Sequence, residues 1–182
     1  GDWLYFSAMD KLGVLDLSNP EDPTLLNLEE SFGCSKMSSI GNLIYSVRGG
    51  GMNIIDVSDP ENFVVVNYIN SGPGVREYFV IDDQIITYYY KNIYTFDISD
   101  PFVPQLLGTV TDSIQISDIY IKDDRLFVSF YGECLKVYDI SNPNEYQLIS
   151  RFDNPDLSYI TLIEDDLAIT RNQDREDNSK YL

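Results

Sequence analysis

The sequence predicts an all-β protein built from repeated four-stranded antiparallel units, and three observations support this. A five-residue phrase, Asp-x-Ser-x-Pro, occurs four times, at residues 16–20, 56–60, 97–101 and 139–143. A polar two-residue turn recurs in step with it, at residues 41–42, 82–83, 123–124 and 165–166. Short apolar segments rich in β-branched and aromatic residues lie between these markers. A fixed period of about 41 residues indicates a repeat architecture.

Each repeat accommodates four strands, which we call A, B, C and D in chain order. Strand C is the apolar segment that runs into each phrase, as in Asn53-Ile54-Ile55, and strand D is the segment that follows it, as in Phe63 to Ile69. The polar two-residue turn separates strands A and B, as in Met37 to Ile40 and Ile44 to Val47. Polar pairs of this kind suit the positive backbone angles of a tight hairpin.

A four-stranded unit of this size cannot bury both of its faces alone, so neighbouring units are expected to stack face to face. Radial stacking of such units gives a β-propeller. Helical repeats of similar period would need long segments with apolar residues at i, i+3, i+4 and i+7, and the sequence contains none. We therefore predict one β-propeller domain over residues 1–182, with about four and a half repeats. The remaining blades are expected to come from a longer propeller or from a second chain.

The Asp-x-Ser-x-Pro phrase is interpreted as a structural turn between strands C and D. An Asp carboxylate or a Ser hydroxyl can accept backbone N–H groups two or three residues on, and Pro fixes its own φ and ends the strand. A catalytic residue is needed once, whereas this phrase recurs in every repeat. The predicted turn residues are Asp16, Ser18, Asp56, Ser58, Asp97, Ser99, Asp139 and Ser141.

The repeats resemble the LVIVD-repeat family, in which an apolar run enters an Asp, as in residues 54–60 and 137–143. The resemblance extends through four copies and implies a β-propeller of the kind found in bacterial and archaeal cell-surface or exported proteins. It therefore implies an extracellular, cell-surface or periplasmic location. Two copies depart from the pattern, with Phe63 and Tyr146 in place of a second proline, which concerns the local turn. The family has no common reaction, so no catalytic residue is transferred.

Composition excludes some classes of function. Thirty acidic and twelve basic residues give a formal charge of −18, which disfavours nucleic acid as a partner. No run of 18 apolar residues occurs, so no membrane span is predicted in this chain. Cys34 and Cys134 fall at different points of different repeats, and we expect two free thiols and no disulfide between them.

The sequence also lacks the usual residues of several chemical sites. There is no histidine, which excludes Ser-His-Asp and Cys-His catalysis and His-based metal sites within this chain. The glycines at 49–51 join strands B and C with no following helix, so they do not form a phosphate loop. Adjacent carboxylates such as Asp82-Asp83 suit a hairpin turn better than a calcium site, which needs six to eight converging oxygens. We predict no catalytic residue, no metal site and no cofactor.

Recognition is expected where the repeats differ. The A–B and C–D turns are uniform and lie at one end of each unit, whereas the D–A and B–C loops at the other end vary in length and chemistry. Basic, tyrosine and acidic side chains on these loops are candidates for binding a protein or a glycan: Arg48, Arg76, Tyr90, Lys91, Tyr131 and Glu133. Two alternatives remain open, a part of a propeller enzyme that acts on polysaccharide and a purely structural spacer.

Overall fold

A computed structural model of the chain describes residues 2–9, 11–30, 36–48, 50–70, 75, 77–153, 159–164 and 167–171. The described residues form seventeen strands and no helix. Consecutive antiparallel strands form three four-stranded sheets, one three-stranded sheet and one two-stranded sheet. No described segment could cross a membrane as a long apolar helix.

The sheets follow the predicted repeats and are called blades 1 to 4 in chain order. Blade 1 consists of β1 (Trp3–Ala8), β2 (Lys11–Asp16) and β3 (Thr24–Glu30). Blade 2 consists of β4 (Met37–Ile40), β5 (Leu43–Arg48), β6 (Gly51–Asp56) and β7 (Val64–Asn70). Blade 3 consists of β8 (Glu77–Ile81), β9 (Gln84–Tyr89), β10 (Asn92–Asp97) and β11 (Gln105–Thr111). Blade 4 consists of β12 (Ile116–Lys122), β13 (Arg125–Phe130), β14 (Cys134–Asp139) and β15 (Gln147–Asp153), and β16 (Tyr159–Glu164) pairs with β17 (Leu167–Arg171).

Burial differs between the inner and outer strands of a blade. The B and C strands are buried over most of their length, as in β9 and β6, whereas the D strands β11 and β15 are largely exposed. A strand that is buried on both faces needs apolar residues in succession, and Ile54-Ile55 and Ile85-Ile86 satisfy this need. The D strand is therefore the outer edge of each blade.

The chain divides into two compact units, residues 1–75 with 98–105 and residues 76–97 with 106–182. The first unit has a core that contains Leu12, Val14, Ile44, Ile55, Val57 and Phe63. The second has a larger core that includes Ile86, Tyr88, Ile93, Ile119, Leu126, Val128, Phe130 and Tyr138. A single domain over residues 1–182 stays a prediction.

Three of the four Asp-x-Ser-x-Pro phrases, those beginning at Asp16, Asp56 and Asp139, fold as two successive side-chain-capped turns, and the second of these turns is also found in the phrase that begins at Asp97. In the first turn, the backbone N–H of Ser18, Ser58 or Ser141 donates to Oδ1 of the Asp two residues before it, over 2.8–2.9 Å. In the second turn, the residue at the fourth position of the phrase accepts a backbone N–H two residues on, as Asp59 Oδ1 does from Glu61 over 3.0 Å. Asn19, Asp100 and Asn142 make the equivalent bond. The fourth position thus requires Asn or Asp for the same reason as the first requires Asp.

The A–B turns lie at the same end of each blade as these phrases. Gly41, Asp82 and Asp123 occupy the left-handed region, with φ of 55°, 48° and 51°, which Gly and Asp tolerate better than bulkier residues. The second residue of the turn then accepts a backbone N–H from the residue that follows the phrase Asp, as Asn42 O does from Val57 over 2.8 Å and Asp124 O does from Ile140 over 2.9 Å. The predicted turn at 165–166 lies outside the described residues.

An asparagine side chain on strand D joins consecutive blades. Asn27 Nδ2 on β3 donates to the carbonyl oxygen of Glu61 over 2.9 Å, and Asn67 Nδ2 on β7 donates to that of Phe102 over 2.8 Å. Both asparagines lie eleven residues after the first Asp of their phrase, and both acceptors lie five residues after the Asp of the next phrase. The C–D register shifts by one residue beside each asparagine. A shift of this kind changes the direction of a side chain.

The two aromatic residues that replace the second proline make contacts between blades. Phe63 is buried, with its ring centroid 6.1 Å from that of Tyr5 on β1, and the Tyr5 hydroxyl donates to Val57 O over 3.2 Å. The Tyr146 hydroxyl is hydrogen-bonded to Thr95 Oγ1 on β10. β7 and β15 begin one residue after Phe63 and Tyr146, so both side chains lie in the turn, not in the strand. These substitutions therefore affect packing between blades as well as the local turn.

Candidate functional site

The B–C loops of blades 1, 3 and 4 place a positive-φ residue seven positions before the phrase Asp. Met9 has φ of 59°, Tyr90 has φ of 55° and Gly132 has φ of 66°. Gly49, at the same position of blade 2, lies outside the described residues. Glycine is the residue that adopts this region at least cost, and blade 4 uses it. Blades 1 and 3 instead carry a large apolar side chain there, and both are exposed, Met9 at 98% and Tyr90 at 52%.

Backbone hydrogen bonds hold the Tyr90-Lys91 loop in place. The Lys91 carbonyl accepts the N–H of Asp112 over 2.9 Å, and the Tyr90 carbonyl accepts the N–H of Ile116 over 2.7 Å. Lys91 Nζ lies 5.5 Å from the centroid of the Tyr90 ring, within the range of a cation–π contact. The loop thus presents an aromatic face and an ammonium group from a fixed backbone.

The connection of residues 112–115 links this loop to the B–C loop of blade 4. The N–H of Tyr131 donates to Gln115 O over 3.1 Å, and the N–H of Glu133 donates to Phe130 O over 3.4 Å. The Glu133 side chain is exposed. Four of the six predicted binding residues therefore lie on two loops that flank one connection: Tyr90, Lys91, Tyr131 and Glu133.

The other two predicted binding residues cannot be placed as side chains. Arg48 is the last residue of β5, opposite Gly51 in the register, and its side chain lies outside the described part of the structure. Arg76 lies wholly outside it. The role of all six residues in binding stays a prediction.

A buried ion pair supports the 112–115 connection. Lys136 Nζ on β14 donates to Asp112 Oδ2, and each of the two side chains is only 11% exposed. Lys136 Nζ also lies 4.7 Å from the centroid of the Phe130 ring, and Asp112 Oδ1 accepts the N–H of Ile114 over 3.2 Å. A charge that is removed from water needs partners of this kind.

The electrostatics around this pair follow from burial and from the pair itself. Burial would raise the pKa of Asp112, but the hydrogen bond from Lys136, with the Ile114 N–H and the Lys136 charge, shifts that pKa below its ordinary value. Burial, with the charge of Asp112, raises the pKa of Tyr138 to about 12. Burial also raises the pKa of the free thiol of Cys134. The Tyr138 hydroxyl and the Cys134 thiol therefore both stay protonated at neutral pH.

The described residues offer no group of three or more Cys, Asp or Glu side chains that could hold a metal ion. Asp82 and Asp123 are the first residues of hairpin turns, at the end of the blade opposite the B–C loops. Cys34 and the acidic pair at 165–166 lie outside the described residues. The arrangement on the 112–115 side can bind through the aromatic face of Tyr90 and the charged groups of Lys91 and Glu133.

The sequence contains signals for three structural features that are absent from the predictions above. The fourth phrase position is Asn or Asp in every copy, and Asn27 and Asn67 share one offset from their phrases. Met9 occupies the same repeat position as Tyr90 and could have been added to the binding candidates by alignment of the copies. The Asp112–Lys136 pair had no such signal, because nothing in the spacing of the repeats couples these two positions.

Comparison with known proteins agrees with the repeat and the fold. The family model of the LVIVD repeat matches residues 37–70 and 115–154, which correspond closely to blades 2 and 4. No curated protein sequence matches the chain.

Two similar solved chains come from structures that contain Nup159. One belongs to a structure of S. cerevisiae Dbp5 bound to Nup159, Gle1, IP6 and ADP, with a TM-score of 0.68, 12% identity, and coverage of 96% of this chain and 51% of that chain. The other is the N-terminal domain of Nup159, with a TM-score of 0.66, 12% identity, and coverage of 88% and 47%. This chain spans about half the length of each, and at this identity the likeness shows the fold alone. The chain therefore contains LVIVD repeats at residues 37–70 and 115–154, and it has the fold of a β-propeller.

Proposed function

We propose that this protein is a non-catalytic binding scaffold, which holds a protein or glycan partner on the D–A and B–C loops. The observation that carries the proposal is Tyr90, a large aromatic residue that is half exposed at φ of 55°. Residues in sparsely populated backbone regions persist where the surrounding structure enforces them, and they cluster at binding sites.

Stability alone favours glycine at this position. A left-handed conformation costs a residue with a Cβ roughly 1 kcal/mol relative to glycine. Blade 4 satisfies the same loop geometry with Gly132. An exposed tyrosine recovers little of this cost by burial, so a contact with a partner accounts for its presence better than the packing of the blade does.

The chemistry of the loop defines the class of partner. A tyrosine face stacks on a sugar ring or on an aromatic side chain, and the ammonium of Lys91 can pair with a nearby carboxylate. The backbone of the loop is fixed by two hydrogen bonds, so little ordering is needed on binding. The formal charge of −18 disfavours a polyanion such as nucleic acid.

The Tyr90→Gly variant is expected to fold at least as stably as the wild type and to bind its partner at least tenfold more weakly. Removal of the Cβ relieves the left-handed strain, and removal of the ring deletes the proposed anchor. Partners are first identified with the wild-type protein on a glycan array and on immobilised extracellular proteins of the source cells. Affinity is then measured by calorimetry, and stability by urea denaturation.

Leu106→Ala is the matched control, because Leu106 is an exposed apolar residue of the same blade that lies next to its C–D turn. This variant should bind as the wild type does. Equal affinity of the wild type and Tyr90→Gly for every ligand found would exclude this loop as the binding surface. A wild type that binds no glycan or protein in either screen would contradict the proposal as a whole.

We also propose that the protein is exported or lies on the cell surface, because its repeat resembles that of proteins with this location. Protease added to intact source cells should then degrade it while a cytoplasmic enzyme of the same cells survives. Protection of both proteins until the cells are lysed would refute an exposed location.

A further inference from the structure

The junction between blades 3 and 4 lacks the carboxamide found at the two earlier described junctions. Asn27 and Asn67 each donate to a carbonyl of the next C–D turn. The residue at the same offset in blade 3 is Gly108, eleven residues after Asp97. The corresponding acceptor in the next turn is the carbonyl of Asn144, five residues after Asp139.

Gly108 nevertheless faces the acceptors that an asparagine would use. A Cβ built on Gly108 would lie 3.5 Å from the carbonyl oxygens of both Pro143 and Asn144, which is ordinary van der Waals contact. The φ of Gly108 lies outside the left-handed region, so a side chain there would not strain the backbone. The hydrogen bonds described for this turn use the N–H groups of Asn144 and Glu145, and not these two carbonyl oxygens.

A cavity of about 280 Å³ lies at this junction. Thr95, Gly108, Pro143, Asn144, Glu145 and Tyr146 are among the residues that line it. The hydroxyl groups of Thr95 and Tyr146 are hydrogen-bonded to each other, and Glu145, whose carboxylate can accept hydrogen bonds, also lines the cavity. Carbonyl and carboxylate oxygens favour a ligand that donates hydrogen bonds, and an anionic ligand would be repelled.

We propose that this cavity binds a primary carboxamide, the side chain of an asparagine presented by a partner protein. The incoming NH₂ group donates to the carbonyl of Asn144, as Asn27 and Asn67 donate to the equivalent carbonyls at the earlier junctions, and its second N–H can reach the carbonyl of Pro143. The cavity volume exceeds that of a carboxamide, so part of the backbone that carries it also fits. The site adjoins the C–D turn and not the B–C loops, and it stands independently of the Tyr90 surface.

The first test introduces the carboxamide as a side chain of the protein itself, by substitution of Gly108. Gly108→Asn should raise the melting temperature by about 3 °C, which corresponds to one added hydrogen bond in a chain of this size. Gly108→Ala and Gly108→Asp should give no such rise, because the first has no donor and the second adds a charge. Asn67→Ala, which removes the carboxamide of the second junction, should lower the melting temperature by a similar amount.

The second test adds the carboxamide as a small soluble compound. N-acetyl-asparagine N-methylamide is titrated into the ¹⁵N-labelled protein, with N-acetyl-aspartate N-methylamide as the matched control. Saturating amide shifts are expected at residues 108–110 and 144–146 with the first compound only, and these should disappear in Gly108→Asn. The proposal is overturned if Gly108→Asn is no more stable than Gly108→Ala. It is also overturned if the amide shifts are equal for the two compounds or persist in Gly108→Asn. If the Tyr90 loop proved not to bind a partner, the expected results of these two tests would not change.

Discussion

Lys136→Met is expected to lower the free energy of unfolding by about 3 kcal/mol at pH 7, because it leaves the Asp112 carboxylate buried without its cation. The side chains of Asp112 and Lys136 are each only 11% exposed, so water replaces the lost partner incompletely. Methionine keeps the apolar stem that packs near Phe130 and removes only the charge and the donor. Urea denaturation followed by circular dichroism measures the change.

Asp112→Asn combined with Lys136→Met is the control for this prediction. The asparagine retains an oxygen that can accept the Ile114 N–H, and no unpaired charge remains. The double variant should therefore recover to within about 1 kcal/mol of the wild type. A double variant as unstable as Lys136→Met alone would show that the loss comes from packing and not from the unpaired carboxylate.

The pH dependence follows from the direction of the Asp112 pKa. The folded-state pKa of Asp112 lies below its ordinary value, so the group stabilises the fold fully above about pH 4, and this contribution is lost as the pH falls through the folded-state pKa. Without Lys136, burial is opposed only by backbone N–H groups such as that of Ile114, so the pKa of Asp112 rises relative to the wild type. The difference in stability between the wild type and Lys136→Met should therefore be largest near neutral pH and should shrink in acid.

Gly51→Ala is expected to lower the free energy of unfolding by about 3 kcal/mol, because there is no room for its Cβ. The new carbon would overlap the backbone carbonyl oxygen of Ile69 and would lie 2.6 Å from both Cζ and Oη of Tyr68. Gly51 is buried at the start of β6 and pairs with Asn70, so the overlap cannot be relieved without a shift of the C–D pair of blade 2. Urea denaturation measures this change as well.

Two variants separate this overlap from a general effect of replacing glycine in a strand. Gly108→Ala places its Cβ at ordinary contact distance and should change stability by less than about 0.5 kcal/mol. Tyr68→Ala added to Gly51→Ala should recover only part of the loss, because the carbonyl of Ile69 remains in place. A Gly51→Ala variant as stable as Gly108→Ala would show that β7 can move away at little cost.

The period of the sequence was sufficient to predict the strands. Repeated apolar segments between stereotyped turns place β4 at Met37–Ile40 and β5 within one residue of the predicted segment. Turn chemistry is local, so the positive φ of Asp82 and Asp123 also follows from residue type and position. The all-β propeller fold and the LVIVD repeat are confirmed.

Contacts between strands were not predictable in the same way. Lys136 lies in a segment whose pattern predicts a strand C. Its partner Asp112 lies 24 residues earlier, on the connection between blades 3 and 4. The sequence presents Phe63 and Tyr146 as changes in a local turn, yet each side chain contacts the preceding blade. Side-chain pairs of this kind depend on the stacking of blades, which a repeat period does not specify.

The asparagine contacts between blades have a consequence for the order of folding. Each joins residues only 34 or 35 positions apart, less than one full repeat. During synthesis, this contact can therefore form as soon as the C–D turn of the next blade has been made. Because such short-range contacts close small loops, the entropy lost at each step is low, and the chain can fold progressively from its N-terminal side as it emerges from the ribosome.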